Sequence, residues 1–295
     1  MLTLCTRILL ITAICTLLSA CVDSDKPAGP NAELFEYKFF AAMEGHLTPT
    51  SFSSDGRALY FTLADKKYKK SYVYSTKYHD GGLTEPRLAG FSTGENTSGA
   101  NISDDGQSVL FVSPMPTGIG GEYNKWNIWT STRANGVWAP ATPLPPPVDS
   151  EKPECCGIWA SDTEFYFASK RQDNWDIYRA ELGDDGEYSV ERMPDTLNTE
   201  YHEQPSSFDP ETGLLLFHSV RPDGYGGWDI YTSKLEDGQW QPTTLLPEPL
   251  NTAAEDDTAV ISPNGEWVYF SSNRPVIKDT LHYSMFRIKA SILEQ

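Results

Sequence analysis

The sequence predicts an all-β chain folded as one β-propeller of four-stranded antiparallel blades, and three observations carry that expectation. A Trp-Asp-Ile-Tyr signature at 228–231 recurs as Trp175-Asp176-Ile177-Tyr178 and Trp126-Asn127-Ile128-Trp129, and in weaker form as Tyr72-Val73-Tyr74 and Tyr283-Ser284-Met285-Phe286. Each copy follows a turn and an apolar, strand-like run. The turn residues Asp55, Asp105 and Asp162 stand 50 and 57 residues apart, room for four short strands per copy. A single four-stranded sheet cannot bury both its faces, so such copies pack face to face around an axis. Beyond the N-terminal leader no stretch has a sustained helical period.

The leader holds one charge, Arg7, then an apolar run from Ile8 to Leu18 closed by Ser19 and Ala20. The run is short for a membrane span and ends on small side chains that fit a peptidase subsite, which marks an export signal. Leu18-Ser19-Ala20-Cys21 resembles the lipobox of bacterial lipoproteins, which implies a diacylglyceryl group on the Cys21 thiol and membrane attachment through it. Because Val22 rather than aspartate follows Cys21, the resemblance implies an outer-membrane address, facing the periplasm or the cell surface. Residues 1–20 therefore read as a signal peptide, 21–33 as a lipidated flexible tether and 34–295 as the propeller.

The first repeat opens at Pro49 to Gly56, where an extended segment meets an Asp-Gly turn, and continues as Ala58 to Thr62, a hairpin signal. Tyr72-Val73-Tyr74 makes its third strand and Leu83 to Leu88 its fourth. Asp105-Gly106, Asp162-Thr163, Asp209 to Gly213 and Pro263-Asn264-Gly265 start the same sequence of elements again, giving five blades; a sixth, divergent blade has no identifiable sequence. The last repeat runs out of residues after its third strand. Phe35 to Phe40, a β-prone run that stands alone before the first repeat, is the expected replacement and would close the ring by removing exposed strand edges.

With 41 acidic against 23 basic residues and a net charge of −18, the surface repels phosphate backbones, which argues against nucleic-acid binding. After removal of Cys5 and Cys15 with the signal and lipidation of Cys21, the adjacent pair Cys155-Cys156 remains, so there is no disulfide framework.

Ser-Pro-Asn-Gly at 262–265, Tyr269 to Arg274, Gly-Gly-Trp-Asp-Ile-Tyr at 226–231 and Leu-Asn-Thr at 197–199 and 250–252 resemble the WD40-like repeat of the TolB-type propeller family. The resemblance spans nearly all of the propeller region. It implies a non-catalytic, periplasm-facing propeller whose partners are envelope proteins, peptidoglycan-associated or outer-membrane proteins among them. The family is commonly six-bladed, and the count of five departs from it.

Asp176 and Asp229 are expected to face Arg171 and Arg221 and tie strand to loop, with Arg274 in the matching place of the last blade. Trp126, Trp175 and Trp228 are expected to pack between blades. The segments entering each first strand gather at the mouth of a propeller's channel. Alignment there puts His46, Asn96, His202 and Glu255 at one level, with Glu154, Glu203 and Asp256 at the next. This ring of acids and imidazoles could coordinate a divalent cation or bind a basic peptide end; alternatively its acids serve backbone amides of the neighbouring blade. Cys155 and Cys156 could form a vicinal disulfide in an oxidising compartment, bind a soft metal, or simply pack. No nucleophile elbow, phosphate-cradling loop or spaced zinc motif is present. The leading expectation is an outer-membrane lipoprotein acting as a protein-interaction module without cofactor. The alternative is a metal-dependent carbohydrate-binding protein, lyase or hydrolase with its site at the channel mouth.

Overall fold

A computed structural model of the chain describes residues 31–35, 40, 43–79, 82–92, 96–117, 125–276 and 281–294. The export signal and Cys21 lie outside these residues. The turn signatures become tight hairpins for a shared reason. Ser53 Oγ donates to Asp55 Oδ1 at 2.6 Å and accepts from Ala58 N at 2.9 Å, while Gly56 takes a φ of +66°, a conformation that costs glycine little. Ser103 with Asp105 (2.7 Å) and Ser262 with Asn264 (2.7 Å) repeat the same construction.

Among the described residues the strands form five consecutive antiparallel groups. The first holds β2 (Gly45–Phe52), β3 (Ala58–Ala64) and β4 (Ser71–His79), with β5 (Gly82–Leu83) and β6 (Arg87–Leu88) at its outer edge. The second holds β7 (Ser98–Ile102), β8 (Ser108–Ser113) and β9 (Asn127–Ala134), edged by β10 (Val137–Trp138) and β11 (Thr142–Pro143). β12 (Glu154–Trp159), β13 (Glu164–Gln172), β14 (Asn174–Leu182) and β15 (Tyr188–Arg192) form the third. The fourth has β16 (Glu203–Asp209), β17 (Leu214–Ser219) and β18 (Asp229–Glu236), edged by β19 (Gln239–Trp240) and β20 (Thr244–Leu245). β21 (Asp256–Ile261), β22 (Trp267–Ser272) and β23 (Leu281–Lys289) make the fifth, whose outer strand is β1 (Glu33–Leu34).

The innermost strands β2, β7, β12, β16 and β21 each neighbour the next, and β21 returns to β2, so the groups surround a common axis as the blades of a propeller do. Apolar clusters fill the spaces between successive groups. Each second strand contributes a phenylalanine with 0% exposure at the same register, Phe61, Phe111, Phe167, Phe217 or Phe270. Its register partner on the third strand is always aromatic, Tyr74, Trp129, Tyr178, Tyr231 or Phe286, which explains the last residue of the repeating signature.

The ring closes with an N-terminal strand that lies before Phe35; of the segment Phe35 to Phe40 expected from the sequence, residues 36–39 lie outside the described residues. β1 pairs with β23 in the register Glu33↔Arg287 and Leu34↔Phe286. Phe35 then turns inward and is buried with Phe40; its ring meets Tyr269 edge-on at 4.9 Å, and Phe40 meets Phe61 at 5.4 Å. The benzyl groups gain more by filling the seam between last and first groups than they would on an edge strand half open to water. β23 also pairs in parallel with β2 (Gly45↔Leu281, His46↔Tyr283), a second tie across the same seam.

Phe40→Ala is therefore expected to cost about 3–5 kcal/mol in a urea unfolding experiment. An unchanged midpoint would show that the seam does not depend on this ring.

Candidate functional site

The acids placed at the channel mouth are committed to internal ion pairs. Glu203, fully buried, accepts from Thr199 N (3.0 Å), Thr199 Oγ1 (2.5 Å), Ser219 Oγ (3.1 Å) and Arg221 Nε (3.1 Å). Asp256 is held the same way by Thr252 N (2.7 Å), Thr252 Oγ1 (2.8 Å) and Arg274 Nη2 (2.7 Å). Glu154 accepts from Ser150 Oγ and Ser169 Oγ (3.0 Å) and lies 3.5 Å from Arg171 Nη2. Each guanidinium also donates to a carbonyl of the preceding loop, that of Val148, Leu197 or Leu250, and lies over two aromatic rings of its own group. The Leu-Asn-Thr repeat supplies the remainder. Asn251 accepts from Ile230 N (2.8 Å) and donates to Ile230 O (2.8 Å), finishing the third strand, and Asn198 does so for Ile177 at 2.7 and 2.9 Å.

These contacts correct two expectations. Arg171 and Arg221 face Glu154 and Glu203, whereas Asp176 pairs with Arg192 at 2.9 Å and Asp229 accepts from Gly226 N at 3.0 Å. The arginines stand two residues beyond the serine that registers against the acid, so they fold back onto the first strand rather than across to the third. The remaining mouth residues do not converge either. His46 Nδ1 lies 2.7 Å from Tyr68 Oη with the rings stacked at 3.9 Å, Asn96 Oδ1 accepts from Ser71 N (3.3 Å), and His202 Nδ1 accepts from Trp175 N (3.2 Å). Glu255 Oε2 accepts from Tyr283 Oη. Among the described residues no group of three or more His, Cys, Asp or Glu side chains is placed to hold a metal ion. Three of the mouth carboxylates, Glu154, Glu203 and Asp256, already face arginines, and the fourth, Glu255, is engaged by Tyr283.

What does open at this end is a cavity of about 340 Å³ along the axis. The five first strands all reach it, through Thr48, Ser98, Cys155, Gln204 and Thr258 among others. Every one of them carries a β-bulge there, with Gly99, Cys156 and Thr258 at φ of +58°, +59° and +45°. The bulges bend the strands and turn extra side chains and backbone toward the axis. Trp126 and Trp175 form part of the wall, which corrects their assignment to packing between blades; Trp228 instead lies against the His218 imidazole, 4.9 Å between ring centres. Cys155 and Cys156 are thiols with Sγ atoms 2.9 Å apart, and Cys156 Sγ lies 3.4 Å from Gln204 Oε1. Burial raises the Cys155 thiol well above its usual range. Gln204 Oε1 is also 3.3 Å from His218 Nε2, whose Nδ1 meets Ser206 Oγ at 2.9 Å; burial pushes this imidazole down to about 3, so it is neutral.

Sequence reasoning missed Gln204, His218 and Asp257. The signal was available: side chains alternate along a strand, so when Glu203 and Asp256 turn into the blade, the next residues turn the other way. Asp257 is half-buried, and its Oδ1 has no partner among the described residues. Burial first, then repulsion from Asp256 and Glu255, raises its carboxyl to about 7 against hydrogen bonds from Thr258 and Ser271.

No protein-family model matches the chain, and no curated protein matches it. Solved structures do. TolB from Acinetobacter baumannii matches with a TM-score of 0.51 at 16% identity, covering 84% of this chain and 56% of its own. An α-L-arabinofuranosidase from Lactobacillus brevis matches with a TM-score of 0.50 at 13% identity, over 82% of this chain and 89% of its own. The strand order and these superpositions define the class as a β-propeller. Within that class the fold is similar to that of the Acinetobacter TolB and, to the same degree, to that of the arabinofuranosidase. The chain spans little more than half the length of the Acinetobacter TolB.

Removing one partner of a buried ion pair strands the other, so Arg221→Ala should cost about 3–5 kcal/mol on urea unfolding. Asp257 has the opposite sign. Its native carboxyl holds a proton over a range in which the unfolded carboxyl has lost it, so stability falls as pH rises from about 4 to 7 and levels off above. Asp257→Asn should therefore stabilise the protein by about 1–3 kcal/mol at pH 8 and leave it unchanged near pH 3.5, read from thermal or urea unfolding at the two pH values.

Proposed function

We propose that this chain is a lipid-anchored outer-membrane propeller of five blades, held through Cys21, whose mouth face docks another envelope protein without performing a reaction. The observation that carries the reading is the presentation of Tyr225, which is 46% exposed at the tip of the loop between β17 and β18. That loop is pressed against the fifth group: a Cβ on Gly226 would lie 1.7 Å from the Ala254 carbonyl oxygen, so only glycine permits the approach. A large aromatic side chain on a loop pinned to its neighbour is a preorganised anchor that loses little entropy on binding. Tyr68, 57% exposed in the corresponding loop between β3 and β4, stands on the same face. The net charge of −18 favours a basic partner surface.

The hydrolase or lyase alternative has less to rest on. Hydrolysis of a glycosidic bond uses a pair of carboxyl groups. Among the described residues no Asp or Glu lines the axial cavity, and Glu154, Glu203 and Asp256 beside it are bound to arginine.

In-cell crosslinking followed by mass spectrometry tests the docking reading. The Tyr225→Ala protein should fold normally yet lose a crosslinked partner that the parent captures. Retention of the same partner by a double variant, Tyr68→Ala with Tyr225→Ala, would refute docking through this face. Cys21→Ser should release the protein from the membrane fraction.

A further inference from the structure

The protein carries a net charge of −18, yet among the described residues those lining the axial cavity include no Asp, Glu, Lys or Arg. Glu154, Glu203 and Asp256 are turned away from the axis into the blades, while Asp257 stands beside the lining residue Thr258 without entering the lining. A charged ligand would lose its hydration here and gain no counter-ion from the lining. The occupant suited to this cavity is neutral.

Its surfaces narrow the choice further. Two indoles, Trp126 and Trp175, supply flat apolar faces, both half-buried in the wall. Hydroxyl and amide groups occupy the rest, including Thr48, Ser98, Gln204 and Ser206. Two further hydroxyls of the lining, on Thr50 and Ser71, are more than nine-tenths buried and have no hydrogen-bond partner among the described residues. A planar aromatic ligand would cover the indoles but leave such groups unpaired, which burial penalises. A purely apolar one would do the same. A sugar ring has both requirements in one molecule, a face of C–H groups and a rim of hydroxyls. The volume of about 340 Å³ lies at the small end of the ~300–1,000 Å³ range of small-molecule sites, room for one or two rings.

We propose that the axial cavity is a binding site for a neutral saccharide unit, stacked on Trp126 or Trp175 and hydrogen-bonded by the hydroxyl and amide groups of the first strands. The site binds without cleaving, since its lining offers no carboxyl pair. Tyr68 borders both this cavity and the docking face, whereas Tyr225 is not among the lining residues, so a Tyr225 variant separates the two readings.

Isothermal titration calorimetry and tryptophan fluorescence on the purified propeller test this, with a panel of neutral mono- and disaccharides, their uronate and amino-sugar counterparts, and indole as a neutral aromatic. At least one neutral saccharide should bind with a Kd of about 10 mM or tighter, and its charged counterparts should bind at least roughly tenfold more weakly. Trp175→Ala and Gln204→Leu should each weaken that binding by about tenfold or more, while Tyr225→Ala leaves it unchanged. Gln204→Leu keeps the volume of a half-buried side chain, so its loss of binding separates recognition from misfolding. Absence of heat and of fluorescence change with every neutral sugar overturns the proposal. So does preferential binding of a uronate, or binding of indole where all sugars fail. Loss of the crosslinked partner in Tyr225→Ala with saccharide binding intact would support both readings separately.

Discussion

The buried carboxylate–guanidinium pair of the third, fourth and fifth groups is the constraint from which much of this molecule follows. Glu154, Glu203 and Asp256 sit at the start of the first strand with Arg171, Arg221 and Arg274 folded back over them. Each pair joins first strand, second strand and the incoming loop at one point, and the guanidinium lies over the aromatic rings that fill the blade. Buried pairs of this kind add little net stability compared with an apolar substitute, but breaking one is costly, so they specify an arrangement more than they strengthen it. The first two groups do without: Leu47 and Thr97 occupy the corresponding place, and Thr97 Oγ1 meets Ser92 Oγ at 2.5 Å.

A consequence reaches the axis. Because the carboxylates are turned into the blades, the side chains that alternate with them along the strands face inward, and these are mostly neutral. The bulge in each first strand then widens the repertoire by exposing residues that a regular strand would hide. Asp257 is the exception that shows the cost. Set beside Asp256 and Glu255 without an arginine of its own, it keeps its proton up to about pH 7. The mouth face has a different device in the loop between β17 and β18, which is pressed onto the fifth group and carries the exposed Tyr225, while Tyr68 is exposed on the loop between β3 and β4.

The repeats were legible because each of their residues does local work. Asp-Gly turns make their own hydrogen bonds, the terminal aromatic of Trp-Asp-Ile-Tyr meets a phenylalanine one strand away, and Leu-Asn-Thr finishes a strand edge. The alignment of the mouth residues was also right in register: Glu154, Glu203 and Asp256 do stand at one level. What they contact was not legible. Asp176 and Arg171 are five positions apart and looked like partners, but Arg192, from the next strand out, reaches Asp176 first. Phe35 and Phe40 looked like strand residues because aromatic residues favour both strands and cores, and nothing local distinguishes the two.

The sequence by itself determined the all-β class, the five repeats, the positions of their turns and a ring closed by a strand from the N-terminal end, since periodicity, turn chemistry and local hydrogen bonding are short-range. Only the tertiary structure decided which acid meets which arginine, where the closing strand begins, that Trp126 and Trp175 border the axis, and that the axis is uncharged. Those outcomes depend on distances between residues of different strands and blades, and on the desolvation that packing imposes, neither of which is written in any single stretch of the chain.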